Sequence, residues 1–244
     1  MVLKRMRSAV KKRISRRSFT EPLTQYETEC INDMLKKANI ESGLTMELLH
    51  DASGAFCSKK YTKGFIKNAG SAVLVKGPAE LPDLKERCGY YGEAVVLDMV
   101  DMGLGTCWVA GTMDRDYFNI ADGEMLICVI LTGHVDEKCK VSEKTVRAMI
   151  RTRHKDASEM IESDTEIPAD IMEGMKAVEL APSAVNRQNS MFIYSRGVLT
   201  AQVPDRYVLD RVDLGIAKRH FIETAGGTFD FGNGGMWHPE ADHA

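Results

Sequence analysis

From Gly89 to Met102 the chain reads as a helix that is apolar on most of its sides, with Ala94, Val95, Val96, Leu97, Met99 and Val100 nearly in one run. A surface helix carries a single apolar stripe, so a helix of this kind has to be enclosed by other elements at the centre of a fold. It stops at Gly103-Leu104-Gly105, where glycines accept the left-handed backbone of a helix C-terminus. No apolar run reaches the roughly 18 residues that a membrane-spanning helix needs, so no membrane crossing is expected. Apolar residues at 44% and charged residues at 27% are ordinary for a globular chain and speak against disorder.

Around this helix the pattern alternates. Thr24, with Glu27 three residues on, marks the start of a helix whose apolar face is Tyr26, Cys30, Ile31, Met34, Leu35 and Ala38. Residues 71–75 (Ser-Ala-Val-Leu-Val) read as a short buried strand closed by Gly77-Pro78, and residues 126–131 (Leu-Ile-Cys-Val-Ile-Leu) as a second. Residues 46–56 fit neither pattern. Residues 136–166 are polar and highly charged, an exposed connector with some helix. Beyond it come a helix through Ile171, Met175 and Val178, a hairpin-like pair at 191–194 and 198–203, a helix at 212–224 and a final strand at 226–231. Helices alternating with mixed strands predict an α+β fold with a sheet flanked by helices.

The two parts of the chain rhyme. Helix, glycine-bearing loop and strand follow one another in 89–131 and again in 212–231, and a helix followed by a loop recurs at 34–42 and 175–186. Residues 1–160 and 161–244 are therefore read as two fused, related halves, the second shorter than the first.

The first 17 residues carry eight positive charges. No apolar segment follows them, which excludes a secretory signal. Leu3, Met6, Val10 and Ile14 recur at three- and four-residue steps, so residues 3–15 read as a helix with one packed stripe and a solvated basic face. A mitochondrial transit peptide would also be basic and amphipathic, but the packed helix is the simpler account. With a net charge of −3, the run is no argument for a nucleic-acid partner. The six cysteines, Cys30, Cys57, Cys88, Cys107, Cys128 and Cys139, form no CxxC pair and lie mostly in apolar stretches. That usage fits reduced thiols in a cytoplasmic protein rather than a disulfide frame or zinc site. The six histidines show no HExxH and no ligand-spaced pair, so a metal enzyme is not expected.

Three short segments could carry chemistry. Ser15-Arg16-Arg17-Ser18 sets two guanidiniums beside a hydroxyl, donors suited to phosphate oxygens. Pro182-Ser183-Ala184-Val185-Asn186-Arg187-Gln188 combines close backbone approach with amide donors and acceptors, which suits the edge of a planar heterocycle. Gly103-Leu104-Gly105-Thr106-Cys107-Trp108 runs on to Val109, Ala110 and Gly111. It follows a helix instead of opening one after a strand, so it is no dinucleotide fingerprint. Each alone also has a bland reading: a solvated arginine pair, a helix end with a polar turn, the stop of the central helix.

As a set the three resemble the FMN-dependent nitroreductase superfamily, particularly its tandem branch, in which one chain holds both halves of what is usually a dimer. The resemblance implies a nitroreductase-like fold and one FMN. Arg16, Arg17 and Ser18 would hold the flavin phosphate, with Arg151 and Arg153 as a later basic cluster near it. Pro182, Ser183, Ala184 and Asn186 would border the isoalloxazine ring. Val109, Ala110 and Gly111 would present backbone to the ring, with the Gly111 N–H near N5. A mirrored site would need a second Pro-Ser-x-x-Asn near residues 39–44 and a second Arg-Arg-Ser near 160–170, and neither is there. One flavin site is expected.

The implied activity is NAD(P)H-driven, ping-pong reduction of a small acceptor such as a nitroaromatic or a quinone. The flavin carries the chemistry, so no side chain is nominated as catalytic. A monomeric pseudo-dimer and a homo-oligomer both remain open. Two positions depart from the family pattern. Thr20 stands where many members have Arg or Lys, removing a cation that would stabilise reduced, anionic flavin; Lys63 is a candidate replacement. Ala110 stands where a glutamate is common. The missing cation at Thr20 and the shorter second half keep a second reading alive, a non-enzymatic or regulatory flavin-binding protein on the same fold.

Overall fold

The computed structural model of the chain describes residues 6–58, 65–151 and 154–240. In chain order its first elements are α1 (Ser8–Lys12), α2 (Gln25–Ser42), β1 (Glu47–Leu49), β2 (Ser71–Pro78) and α3 (Leu84–Asp101). There follow β3 (Gly105–Val109), β4 (Glu124–Gly133), α4 (Val141–Arg151) and β5 (Ile161–Ser163). The last are α5 (Ala169–Glu179), β6 (Met191–Ser195), β7 (Val198–Gln202), α6 (Asp210–Ala225), β8 (Thr228–Phe229) and β9 (Gly235–His238). The chain packs into two compact units. One comprises Lys12–Leu84 and Ala94–Met149; the other comprises Lys85–Glu93, Ile150–Ala244 and the described part of Met1–Lys11. Compactness thus follows a different line from the chain-order division at 160/161.

The unit built on Lys12–Leu84 and Ala94–Met149 holds a four-stranded antiparallel sheet in the order β1-β2-β4-β3. Successive residues of β2 and β4 are buried, including Val73, Leu74 and Val75 on one and Val129, Ile130 and Leu131 on the other. Side chains alternate between faces along a strand, so both faces of this sheet are covered. One face packs Leu74, Val109, Val129 and Leu131 with Phe19, Phe56 and Phe118. β2 continues past the expected end at Val75, because a bulge between Val75 and Lys76 resets the register and pairing resumes to Pro78. α2 begins with the capping box read from the sequence: the Thr24 N–H donates to Glu27 Oε2 at 2.8 Å and the Glu27 N–H to Thr24 Oγ1 at 3.3 Å. It ends at Gly43, whose φ of 75° is the left-handed helix stop.

The other unit holds a five-stranded sheet in the order β5-β6-β7-β9-β8, with β5 parallel to β6 and the remaining pairs antiparallel. β6 and β7 form a hairpin closed by Arg196 and Gly197, both at positive φ (51° and 80°), as a two-residue turn of the primed class requires. An aromatic cluster sits within this unit's otherwise aliphatic core. Phe221 stacks on Phe192 at 5.6 Å and meets Trp237 edge-on at 5.3 Å. α5 approaches this cluster closely because Gly174 has no side chain; a Cβ there would lie 2.5 Å from the Phe221 ring.

The order β6-β7-β9-β8 repeats β1-β2-β4-β3. In each case a helix precedes the first strand (α5, α2) and another joins the second strand to the third (α6, α3). The fold is therefore α+β with two related halves.

Local differences from the sequence reading have physical causes. The first helix, expected over 3–15, covers Ser8–Lys12, and residues 3–5 lie outside the described residues. Its expected end is extended instead, because Ser15 bridges to Thr106 and the Arg16 N–H donates to Thr106 O at 2.8 Å. α3 begins at Leu84 rather than Gly89: residues 84–88 are mostly charged and escape an apolar criterion, although Glu86 and Cys88 are buried. The expected strand at 226–231 is two residues of β8, and its partner β9 was not anticipated. The connector over 136–166 contains α4 and the edge strand β5.

Candidate functional site

The Arg-Arg-Ser and Gly-Leu-Gly-Thr segments are neighbours. The chain from Ser15 to Thr20 threads through the first-described unit on backbone hydrogen bonds: Arg16 N–H to Thr106 O at 2.8 Å, Lys67 N–H to Arg17 O at 2.8 Å, and Thr20 N–H to His134 O at 2.9 Å. Gly105 makes the approach feasible, since a Cβ there would lie 2.3 Å from Val135 Cγ1 and 3.2 Å from Arg16 Cβ.

A buried carboxylate organises this turn. Oε1 of Glu143, on α4, accepts from the Arg17 N–H at 2.5 Å, the Ser18 N–H at 3.2 Å and Arg16 Nε at 3.4 Å. The Arg16 guanidinium also donates to Asp136 O at 2.9 Å, and the residue is buried. Arg17 is half-buried, with a long contact of 3.5 Å from its guanidinium to Ser15 O. Ser18 is 1% exposed, and its hydroxyl has no hydrogen-bond partner among the described residues. An unmatched buried hydroxyl is costly unless something else completes it.

β3 carries the second part. Val109 is buried, Ala110 half-buried and Gly111 exposed, with open space where a Gly111 side chain would stand. The Arg115 guanidinium braces this end of the strand by donating to the carbonyls of Ala110 at 3.4 Å, Ile127 at 3.5 Å and Leu126.

The Pro182–Gln188 segment lies in the other compact unit, after α5. It is held in an uncommon shape: Val185, Asn186 and Gln188 have φ of 48°, 54° and 48°. Left-handed backbone is unfavourable for a β-branched residue such as Val185 and persists only where the surroundings impose it. Here the surroundings are polar clamps. The Ala184 N–H donates to both Asp213 carboxyl oxygens at 3.0 Å, and the Gln188 N–H to Ser183 Oγ at 2.9 Å. Gln188, itself buried, donates from Nε2 to Glu179 O and accepts the Lys155 N–H at 2.8 Å. Arg187 lies over the Tyr207 ring at 3.7 Å. Burial raises the Asp213 carboxyl to about 7 against the pull of the Ala184 hydrogen bond, and neighbouring Asp210 pushes the same way.

The structure thus brings Arg16, Arg17, Ser18, Val109, Ala110 and Gly111 into one compact unit and places Pro182, Ser183, Ala184 and Asn186 in the other. Arg151 is the last residue of α4; Arg153 and Lys63 lie outside the described residues. Sequence reasoning missed Glu143 and Asp213. Each is an acid in the first turn of a helix, where a carboxylate needs no partner to be favourable, so neither carries a local signal.

A family model described as "Putative TM nitroreductase" matches residues 5–225. No curated protein sequence matches the chain. Among solved structures, a "putative nitroreductase" from Thermotoga maritima is similar at 21% identity over 94% of this chain and 90% of that one, with a TM-score of 0.61. That is a likeness of fold. An "FMN-dependent Nitroreductase" from Clostridium difficile is 22% identical over 54% of this chain and 88% of its own, with a TM-score of 0.45. A nitroreductase family protein from Clostridium difficile 630 is 20% identical over 65% of this chain and 97% of its own, at 0.48.

Proposed function

Because the chain belongs to the family described as "Putative TM nitroreductase", we propose that it is an FMN-dependent oxidoreductase that draws on NAD(P)H and reduces a small acceptor, a nitroaromatic, quinone or similar compound, in ping-pong order. The observation that carries the cofactor reading is Ser18. Its hydroxyl is buried and without a partner among the described residues, and it directly follows the half-buried Arg17 in the chain. A neutral donor next to a guanidinium fits a phosphate group. The spacing along β3 supports it. Arg16 is bonded at Thr106, and Ala110 is four residues further on, about 13 Å at ~3.3 Å per residue. That separates a phosphate end from a ring end on the scale of a mononucleotide.

A bound flavin supplies the electron and hydride chemistry. The chain's part is to bind and orient. Arg17 and Ser18 hold the phosphate, Arg16 braces the turn from within, and Arg151 and Arg153 add positive charge. Val109 and Ala110 give a backbone face, and the exposed Gly111, with open space before it, presents its N–H to the ring nitrogen. Pro182, Ser183, Ala184 and Asn186 are proposed ring-edge residues on the resemblance to the superfamily. The repeated strand order supports reading residues 1–160 and 161–244 as the two related halves of a pseudo-dimer. That only the first half carries Arg-Arg-Ser makes one flavin per chain the expected stoichiometry.

Flavin released from protein incubated with FMN and desalted tests this reading. One FMN per chain is expected. No retained flavin overturns the cofactor assignment, and two per chain overturn the single site.

A further inference from the structure

The Arg16–Ser18 turn already grips an anion of its own. Glu143 is 1% exposed, and its Oε1 receives two consecutive backbone N–H groups and a guanidinium N–H, while Oε2 accepts the Lys140 N–H at 2.9 Å. Adjacent amides converging on one oxygen beside an arginine are how a protein holds a phosphate or other oxyanion. Here the oxyanion is a side chain more than 120 residues away in sequence. Burial alone would push Glu143 toward its neutral form, but the hydrogen bonds from Arg17 and Lys140 and the Arg16 charge outweigh it, holding the carboxyl below its ordinary range. The group is a carboxylate.

The donors left for a ligand, the Ser18 hydroxyl and the Arg17 guanidinium, belong to the same short turn. A phosphate bound to them would sit close to the Glu143 carboxylate, in a site where little water screens the repulsion. Nor could it take the Arg17 and Ser18 amides or the Arg16 Nε while Glu143 holds them.

We propose that Glu143 is an internal anion that competes with the cofactor phosphate for the Arg16–Ser18 turn and thereby sets how strongly the site prefers a phosphorylated flavin. The proposal rests on the flavin reading above. Glu143 is a specificity-determining residue that does not touch the ring.

The test compares FMN with riboflavin, which has the same ring and no phosphate, by fluorescence titration of the wild type and Glu143→Gln. The amide keeps an oxygen for the two backbone N–H groups and removes the charge. The ratio of FMN to riboflavin affinity should rise about tenfold in the variant, with riboflavin affinity within about twofold of wild type. A ratio that is unchanged or lower overturns the proposal and leaves Glu143 as a clasp that shapes the turn. Thermal shifts with inorganic phosphate separate this from failure of the flavin reading. If neither protein binds flavin, that reading falls; phosphate that stabilises Glu143→Gln more than the wild type still upholds the competition, and equal shifts overturn it. Should Glu143→Gln not fold, Glu143→Asp, which withdraws the charge from the amides by one methylene, must raise the same ratio or the proposal fails.

Discussion

Gly89 and Gly215 are each the sixth residue of their helix, α3 and α6, and each faces the backbone of the other helix. A Cβ on Gly89 would lie 2.0 Å from Val212 O, and one on Gly215 would lie 2.0 Å from Glu86 O. Val212 and Glu86 are in turn the third residues of α6 and α3. The crossing is thus symmetric down to the equivalent carbonyls.

Gly89→Ala should therefore cost roughly 3 kcal/mol, because a backbone carbonyl cannot swing aside as a side chain can. Gly215→Ala should cost about the same. The double variant should lose less than the sum, since the first substitution already parts the helices. Urea unfolding of the three variants checks this; near-neutral single substitutions would mean that the helices can separate freely.

Lys218 is fully buried beside this crossing. Its ammonium pairs with Glu86 at 2.5 Å and donates to the carbonyls of Asp230 at 2.9 Å and Gly232 at 3.1 Å. Lys218→Met strands a buried carboxylate and should destabilise by roughly 3–5 kcal/mol. Adding Glu86→Leu should recover much of that loss in thermal melts, because the unpaired charge is what costs.

Asp213 gives stability a pH dependence of definite sign. Its folded value of about 7 lies above the ordinary 3.8, so the native state favours the protonated acid. The corresponding stability is fully present below about pH 4, declines as pH rises and is gone above pH 7. At 1.36 kcal/mol per unit the whole effect is on the order of 4 kcal/mol. Asp213→Asn should flatten the stability profile between pH 4 and 7 and melt higher than the wild type at pH 8. The Ala184 N–H keeps an oxygen to donate to, so the Pro182–Gln188 segment should hold its shape.

Ser18→Ala separates a ligand role from a structural one. The hydroxyl has no partner among the described residues, so its removal should leave the melting temperature unchanged or slightly raised. FMN affinity should fall roughly tenfold, the worth of one hydrogen bond to a charged group, while riboflavin affinity stays put. Loss of stability without loss of FMN affinity would remove Ser18 from the site.

What the sequence makes legible is what short-range chemistry dictates. Thr24 and Glu27 are three residues apart, and their capping box is present as read. The hairpin at Arg196-Gly197 and the buried β2 and β4 declare themselves by turn chemistry and apolar runs. β9 does not: Gly235-Met-Trp-His238 is a strand because Trp237 packs on Phe221 and its backbone pairs with both β7 and β8. Nor could the Arg16 and Gly105 segments be seen to touch, since they lie far apart in sequence and meet through a missing side chain. Glu143 and Asp213 were invisible for the same reason. Each is an ordinary first-turn acid until a distant amide reaches it.

Anaerobic addition of NADH, and separately NADPH, to the FMN-loaded protein tests the central claim most directly. Bleaching of the visible flavin bands by one of the two, and their return on adding a quinone or nitroaromatic, is the result expected of an NAD(P)H-driven oxidoreductase. Bands that persist with both reductants would contradict it and leave a flavin-binding protein without the enzyme's reductive step.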